Sequence, residues 1–285
     1  MGSKSNIQWT DATWNIAVGC KKVDEDCKFC YMYRDSMDGT RFNPRVIRKT
    51  KTVFNLPLKL KEPSKIFTSS YTDFFLEEID EYRKEAWDII RKCPQHTFQI
   101  LTKRPERISQ CLPPDWGDGW DNVWLGTSVG SESEGGYKRI CDLHSVRSKI
   151  KFLSIEPMYG QVDLNYPELV YGKEPARCCD GRECGCMGQP TDPPLLYGID
   201  WVIIGGESGN ENGKYKYRPC KLEWFESIIG QCKALRVSVF VKQLGTHLAK
   251  ELKLTDRHGG NIDEWPEHLR IREMPSGISL DPISH

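Results

Sequence analysis

Charge of one sign is what this 285-residue sequence lacks most plainly: 40 Lys and Arg stand against 40 Asp and Glu. No global basic field draws the chain to nucleic acid, so any site for a polyanion has to be local. Long apolar runs are missing as well. None approaches the ~18 residues that cross a bilayer, and the first residues lack the apolar core of a secretion signal. Gly2 follows Met1, but Asn6 stands where N-myristoylation needs Ser or Thr. These absences lead to the expectation of a cytoplasmic protein with no membrane partner. Internal repeats and low-complexity tracts are absent too, which leaves one large α/β domain or two small ones for this length.

Cysteine is present but sparse. Twelve residues, about 4% of the chain, fall below the density of secreted disulfide-stapled scaffolds, and a reducing compartment would not form such a framework. Clustered cysteines there more often bind metal or serve redox chemistry. Seven of the twelve fall in two clusters: Cys20, Cys27 and Cys30, then Cys178, Cys179, Cys184 and Cys186. Cys93, Cys111, Cys141, Cys220 and Cys232 are scattered and read as small buried hydrophobes.

Seven β-rich runs are present: residues 14–20, 65–73, 97–105, 122–129, 150–157, 199–209 and 237–245. They are apolar on consecutive positions, as strands buried on both faces of a parallel sheet are. Helical periodicity intervenes over 77–93, with Ile79, Tyr82, Ala86, Ile89 and Ile90 near one face and Pro94 as the stop, and over 221–235. Strand alternating with helix predicts a βα barrel or an open doubly wound sheet. The expected fold is α/β, a partial (βα)6–7 barrel over residues 1–245. A Cys-rich insertion at 159–198 is expected between the fifth and sixth strands, and a C-terminal extension at 246–285. Polar residues follow directly on the strands: Asp73, Lys103, Arg104, Thr127, Ser128, Glu156, Glu207, Ser208, Lys242 and Gln243. In βα barrels the site is built at that C-terminal face, and the first cysteine cluster follows the first strand to the same mouth.

The stretch "GCKKVDEDCKFCYMYR" at 19–34 admits several readings, among them a zinc site, an iron–sulfur site and buried small hydrophobes. Zinc wants four ligands and the loop offers three, so His96 or a distant Cys would have to complete the set. Three thiolates on one loop suit a [4Fe–4S] cluster with one iron open. The spacer "KKVDED" reads as polar and flexible.

The cysteine loop, ending "CKFC" after the first strand of a partial βα barrel, resembles the radical S-adenosylmethionine superfamily. Over nearly its whole length the chain resembles the phage Gp37/Gp68 family, through "WTDATWN…GC", "HTFQILTKRPER", "NVWLGTSV", "FLSIEP" and "IDWVIIGGESG". "SYTDFFLEE" and "ILTK" are similar, more weakly, to the spore photoproduct lyase branch, whose enzymes repair DNA. The superfamily resemblance implies a cluster on Cys20, Cys27 and Cys30 whose open iron chelates S-adenosylmethionine, with Phe29 near the adenine. It also implies cleavage of that cofactor to a 5′-deoxyadenosyl radical. The chain departs from the superfamily in a Cys-x6-Cys-x2-Cys spacing where Cys-x3-Cys-x2-Cys is usual. Its "GGES" follows the sixth strand rather than the second, so Ser69, Ser70 and Asp73 are expected to meet the methionine moiety and Glu156 the ribose.

The second cluster offers four thiolates within nine residues. It suits a zinc-stapled insertion, with a second iron–sulfur cluster or reduced surface cysteines as alternatives. Gly205, Gly206 and Gly209 read either as an anion-cradling nest or as a tight turn needing positive φ. Lys103, Arg104 and Arg107, extended by Lys242, suggest a basic strip for phosphates. Glu207 joins them as a substrate-binding candidate, and tryptophans of "DWGDGWDNVW" as stacking platforms for a base. The expected activity is therefore a radical enzyme acting on nucleic acid or a nucleotide. Alternatives are a peptide or small-molecule substrate and a non-catalytic, zinc-stapled binding module.

Overall fold

Apolar runs become seven parallel strands in the computed structural model, which describes residues 4–36, 43–171, 193–210 and 217–275. The strands are β1 (Ala12–Trp14), β2 (Lys65–Thr68), β3 (Thr97–Thr102), β4 (Val123–Ser128), β5 (Ile150–Met158), β6 (Trp201–Gly206) and β7 (Ser238–Gln243). Their order across the sheet is their order in the chain, and every neighbouring pair is parallel. A doubly wound sheet reverses its strand order to place helices on both faces. Sequential order keeps the crossovers on one face and curls the sheet, and the result here is a half-barrel.

A helix follows each strand: α1 (Tyr31–Ser36), α2 (Asp80–Lys92), α3 (Ile108–Cys111), α4 (Glu134–His144), α5 (Glu168–Tyr171), α6 (Leu222–Ala234) and α7 (Gly245–Glu251). The outer face of the sheet carries Ile66, Phe98, Ile100, Leu125, Leu153, Val202, Ile204, Val239 and Val241. They pack in one core with Ile89 and Ile90 of α2 and Phe225, Ile228 and Ile229 of α6. Alternate positions point into the barrel and form a second, aromatic core of Trp9, Phe67, Trp124, Phe152, Trp201, Ile203 and Phe240. Trp201 is its hub, with ring centroids of Trp9, Trp124, Phe152 and Phe240 5.7–6.1 Å away. Two faces buried by two cores explain why the strands read as continuous apolar runs.

The expected first strand over residues 14–20 is corrected. β1 ends at Trp14, and Ala17–Val18 pairs antiparallel with Arg48–Lys49 in a separate two-stranded ribbon. Asn15 breaks the run, its Oδ1 accepting from the Tyr71 N–H at 2.6 Å and its carbonyl from Thr50 Oγ1 at 2.7 Å. The tryptophans of "DWGDGWDNVW" are not free platforms either. Trp124 lies in β4 and Trp116 is buried, while Trp120 packs edge-on to Trp87 at 5.6 Å on the convex side.

Cys178, Cys179, Cys184 and Cys186 lie outside the described residues. The segments flanking them join the outer core through Val162, Leu164, Leu195 and Leu196. Beyond β7, Trp265 and Leu269 are buried in that same core. The backbone of Ile271 and Glu273 bonds to Val241 and Val239, covering the edge of β7. Among the described residues no helix is long and apolar enough to cross a membrane.

Candidate functional site

The cysteine loop is a roof over the mouth of the half-barrel, tied to the ends of successive strands. At its start Gly19, with φ +98°, passes so close to the 46–47 backbone that a Cβ would stand 2.7 Å from the Val46 carbonyl. Cys20 follows; beside it Arg104, after β3, donates to the Lys21 carbonyl at 2.7 Å and places Nη1 4.0 Å from the Cys20 Sγ. The spacer continues as a 3-10 turn, Glu25–Cys27, with Asp24 capping the Asp26 N–H at 3.0 Å. Arg139 of α4, almost fully buried, pairs with both Asp24 and Asp26 and donates to the Ser128 carbonyl at 2.9 Å. Tyr159, after β5, donates its hydroxyl to Asp26. Arg218, after β6, lies over the Tyr159 ring at 3.8 Å and the Phe29 ring at 5.2 Å, and Glu207 accepts from it through both oxygens at 2.7–2.9 Å. Tyr31 and Tyr33 close the arch, donating to the Ser70 and Cys20 carbonyls. The expectation of a flexible spacer is corrected: two of its carboxylates, Asp24 and Asp26, are ion-paired from α4, so the residues that lengthen the loop also anchor it.

Beneath this roof lies a cavity of about 440 Å³, with Trp9, Phe67 and Leu101 among its apolar lining residues. Cys20, Cys27, Phe29, Cys30, Ser69, Ser70, Asp73, Lys103, Arg104, Glu156, Glu207 and Lys242 all line it. Hydrogen bonding divides them. Asp73 accepts from Thr102 Oγ1 (2.6 Å), the Phe75 and Lys103 N–H groups (3.0 and 2.9 Å) and Arg104 Nη1 (3.1 Å), which saturates it. Asp73 therefore aims Arg104 at the roof. Glu207 does the same for Arg218, and Ser70 Oγ accepts from Asn15 at 2.9 Å. The Ser69 and Thr72 hydroxyls are buried and have no partner among the described residues. Glu156 meets the Lys242 ammonium from across the wall. Arg107 is not part of a free strip, since it donates to the Phe75 carbonyl and to both oxygens of Asp80. Among the described residues Lys103 has no carboxylate partner.

Gly205 and Gly206 lie in β6 and neither has a positive φ, so a positive-φ turn does not describe them. They permit close approach instead. A Cβ on Gly206 would overlap the Leu244 backbone, and one on Gly205 would stand 3.3 Å from Glu156 Cγ.

Burial pushes the Cys20 thiol up to about 11; the Asp73 charge adds to this and Arg104 opposes it. All three loop cysteines are free and partly exposed. Among the described residues no three Cys, His, Asp or Glu side chains converge as ligands of one ion. His96 cannot join them: it is buried at the N-terminal end of β3, bonded to the Ser64 N–H at 3.2 Å and the Pro57 carbonyl at 3.1 Å. A four-iron cluster binds each cysteine on a different iron, so its ligands surround a volume rather than a point. Cys20, Cys27 and Cys30 all line one cavity, which is the placement such a set of ligands requires.

The family model described as protein of unknown function (DUF5131) matches residues 4–274. The chain belongs to that family. No curated protein and no solved structure matches it. DUF5131, historically the phage Gp37/Gp68 family, and the half-barrel fold are together compatible with a radical S-adenosylmethionine-type enzyme. In this DUF5131 protein sequence reasoning missed Arg139, Arg218, Tyr159, Asp26 and Thr72. One signal was available for the first of these: Arg139 sits between Tyr137 and Ile140 on the buried face of α4, where a charge demands a partner.

Proposed function

We propose that this protein is a radical S-adenosylmethionine enzyme whose [4Fe–4S] cluster is held by Cys20, Cys27 and Cys30. The observation that carries the reading is the roof: three free thiols brought over one cavity at the C-terminal mouth of a half-barrel, with the Met32 thioether the other sulfur among its described lining residues. The chemistry such a cluster supplies is one-electron cleavage of a bound sulfonium.

The chain's own residues bind, orient and shield. Arg104, Arg139 and Arg218 hold the roof, and Phe29 presents an aromatic face to the cavity. Ser69 and Thr72 offer buried hydroxyls that find their partners on a bound cofactor. The aromatic floor excludes water from below.

The substrate reading follows from charge. Phosphate recognition of a strand rests on several Lys and Arg contacts; here Arg104, Arg107 and Lys242 each sit in an ion pair, and of the expected strip Lys103 alone has no carboxylate partner among the described residues. That pairing favours the second reading, a peptide or small-molecule substrate, over a nucleic-acid strand. Zinc in the second cysteine cluster remains a separate proposal, checked by metal analysis of Cys184→Ser/Cys186→Ser protein.

Anaerobically purified wild-type protein is expected to be brown and to contain iron. Cys27→Ala should abolish both and Cys93→Ala should keep both. Equal iron in the two variants would sink the assignment.

A further inference from the structure

Hydrogen-bond counting separates the carboxylates around the cavity into those that are saturated and one that is not. Asp26 is held by Arg139 and Tyr159, Asp73 by four donors, and Glu207 by three donors of Arg218. Glu156 accepts only from Lys242, on Oε1. Among the described residues its Oε2 has no partner and the Lys242 ammonium has no other acceptor. The two side chains are 17% and 19% exposed, and both line the cavity. They come from β5 and β7 and meet across β6, where glycine at 205 leaves the space. Ser154, two residues before Glu156 on the same face of β5, lines the cavity beside them.

A half-buried carboxylate and ammonium, each with unused hydrogen-bonding capacity, are complementary to a ligand that carries one charge of each sign. A purely anionic ligand would strand Glu156, and a purely cationic one would strand Lys242; either leaves a half-buried charge without a mate. A zwitterion lets both ions exchange partners, so no charge is left unpaired and the net charge of the cavity stays the same.

We propose that Glu156 and Lys242 form a recognition site for an α-amino-acid headgroup, its ammonium bound by Glu156 and its carboxylate by Lys242. The headgroup is that of an amino-acid substrate, since the open iron of the proposed cluster would take the amino and carboxylate groups of S-adenosylmethionine. This rests on the cavity being the active site and narrows its ligand; binding of the headgroup itself does not depend on the cluster.

The test uses full-length metal-free protein and equilibrium dialysis with methionine, N-acetylmethionine, S-adenosylmethionine, 5′-methylthioadenosine and a single-stranded oligothymidylate. Methionine should bind the wild type. Glu156→Gln and Lys242→Met should each weaken it at least tenfold, with melting temperatures showing that both variants are folded. N-acetylmethionine, which has no ammonium, should bind weakly and be insensitive to Glu156→Gln. S-adenosylmethionine and 5′-methylthioadenosine should bind the variants as they bind the wild type, and methionine should still bind beside S-adenosylmethionine. Loss of S-adenosylmethionine affinity in both variants, with 5′-methylthioadenosine unaffected, would put the pair on the cofactor and overturn the substrate assignment. Undetectable methionine binding, binding unchanged in folded variants, or oligothymidylate binding in place of methionine overturns the proposal. Iron content reads separately: the variants should load as the wild type does, so this proposal and the cluster assignment can fail independently.

Discussion

Cys220 and Cys232 are buried in the outer core, and burial pushes each thiol from its ordinary value of 9.0 up to about 12. A raised thiol pKa means that the unfolded chain loses its protons first. The stabilisation is therefore complete below about pH 9 and lost as pH climbs towards 12, at up to about 1.4 kcal/mol per pH unit for each thiol. Urea midpoints should fall steeply between about pH 8.5 and 11, and less steeply in Cys232→Ala. A wild-type midpoint constant over that range would contradict the burial argument. Arg139 makes a second prediction at this scale. Arg139→Met strands Asp26, whose side chain is 6% exposed, and breaking a buried pair from one side costs about 3 kcal/mol. Alkylation of Cys27 in metal-free protein should accelerate with it. Arg139 escaped the sequence reading because its partners are remote: Asp24 and Asp26 precede it by 115 and 113 residues. Arg218 pairs with Glu207 only 11 residues before it, but the Phe29 and Tyr159 rings that it covers lie far back in the chain. Local pattern carries no trace of such pairs.

Elements were far more legible than the contacts between them. Strands β2 to β7 were readable because residues buried on both faces leave unbroken apolar runs, and α2 and α6 because one face alternates at the helical period. β1 was misplaced because three residues are too few to carry a pattern, and the apolar run that follows them belongs to a ribbon. All cavity residues taken from strand ends were found by one rule, that a barrel site gathers at the C-terminal mouth. The rule could not tell a ligand-facing carboxylate from one that holds an arginine. Two glycines show what backbone placement adds. Gly206→Ala drives a methyl into the Leu244 backbone, 2.8 Å from its carbonyl carbon. Neither strand can yield, so a loss of about 3 kcal/mol or more in urea titration is expected, on the scale of severe core disruption. Gly230 is exposed within α6 with open space around it. Gly230→Ala should raise stability by up to about 1 kcal/mol, since glycine is the weaker helix former.

At the scale of the molecule, a half-barrel has two free edges and an interior that must be plugged. The segment before β1 supplies Trp9, whose carbonyl accepts from Gln99 at 3.2 Å. The segment after α7 covers β7 and accepts from the Trp201 indole through the Glu273 carbonyl at 2.9 Å. Ending the chain at Gly260 should therefore expose the β7 edge and yield aggregated protein in size-exclusion chromatography. Sequential strand order means that each strand pairs with the one made just before it, so the sheet can grow in the direction of synthesis. The roof behaves differently. Its earliest residues wait for Arg139 and then for Arg218, and the arch closes only after the sixth strand has emerged. An opening that completes last and relies on a few long-range ion pairs is also the part that unlocks with least loss of structure. Amide exchange should thus be faster across residues 20–30 than in β4 to β6, making the mouth a door on a wall that stays standing.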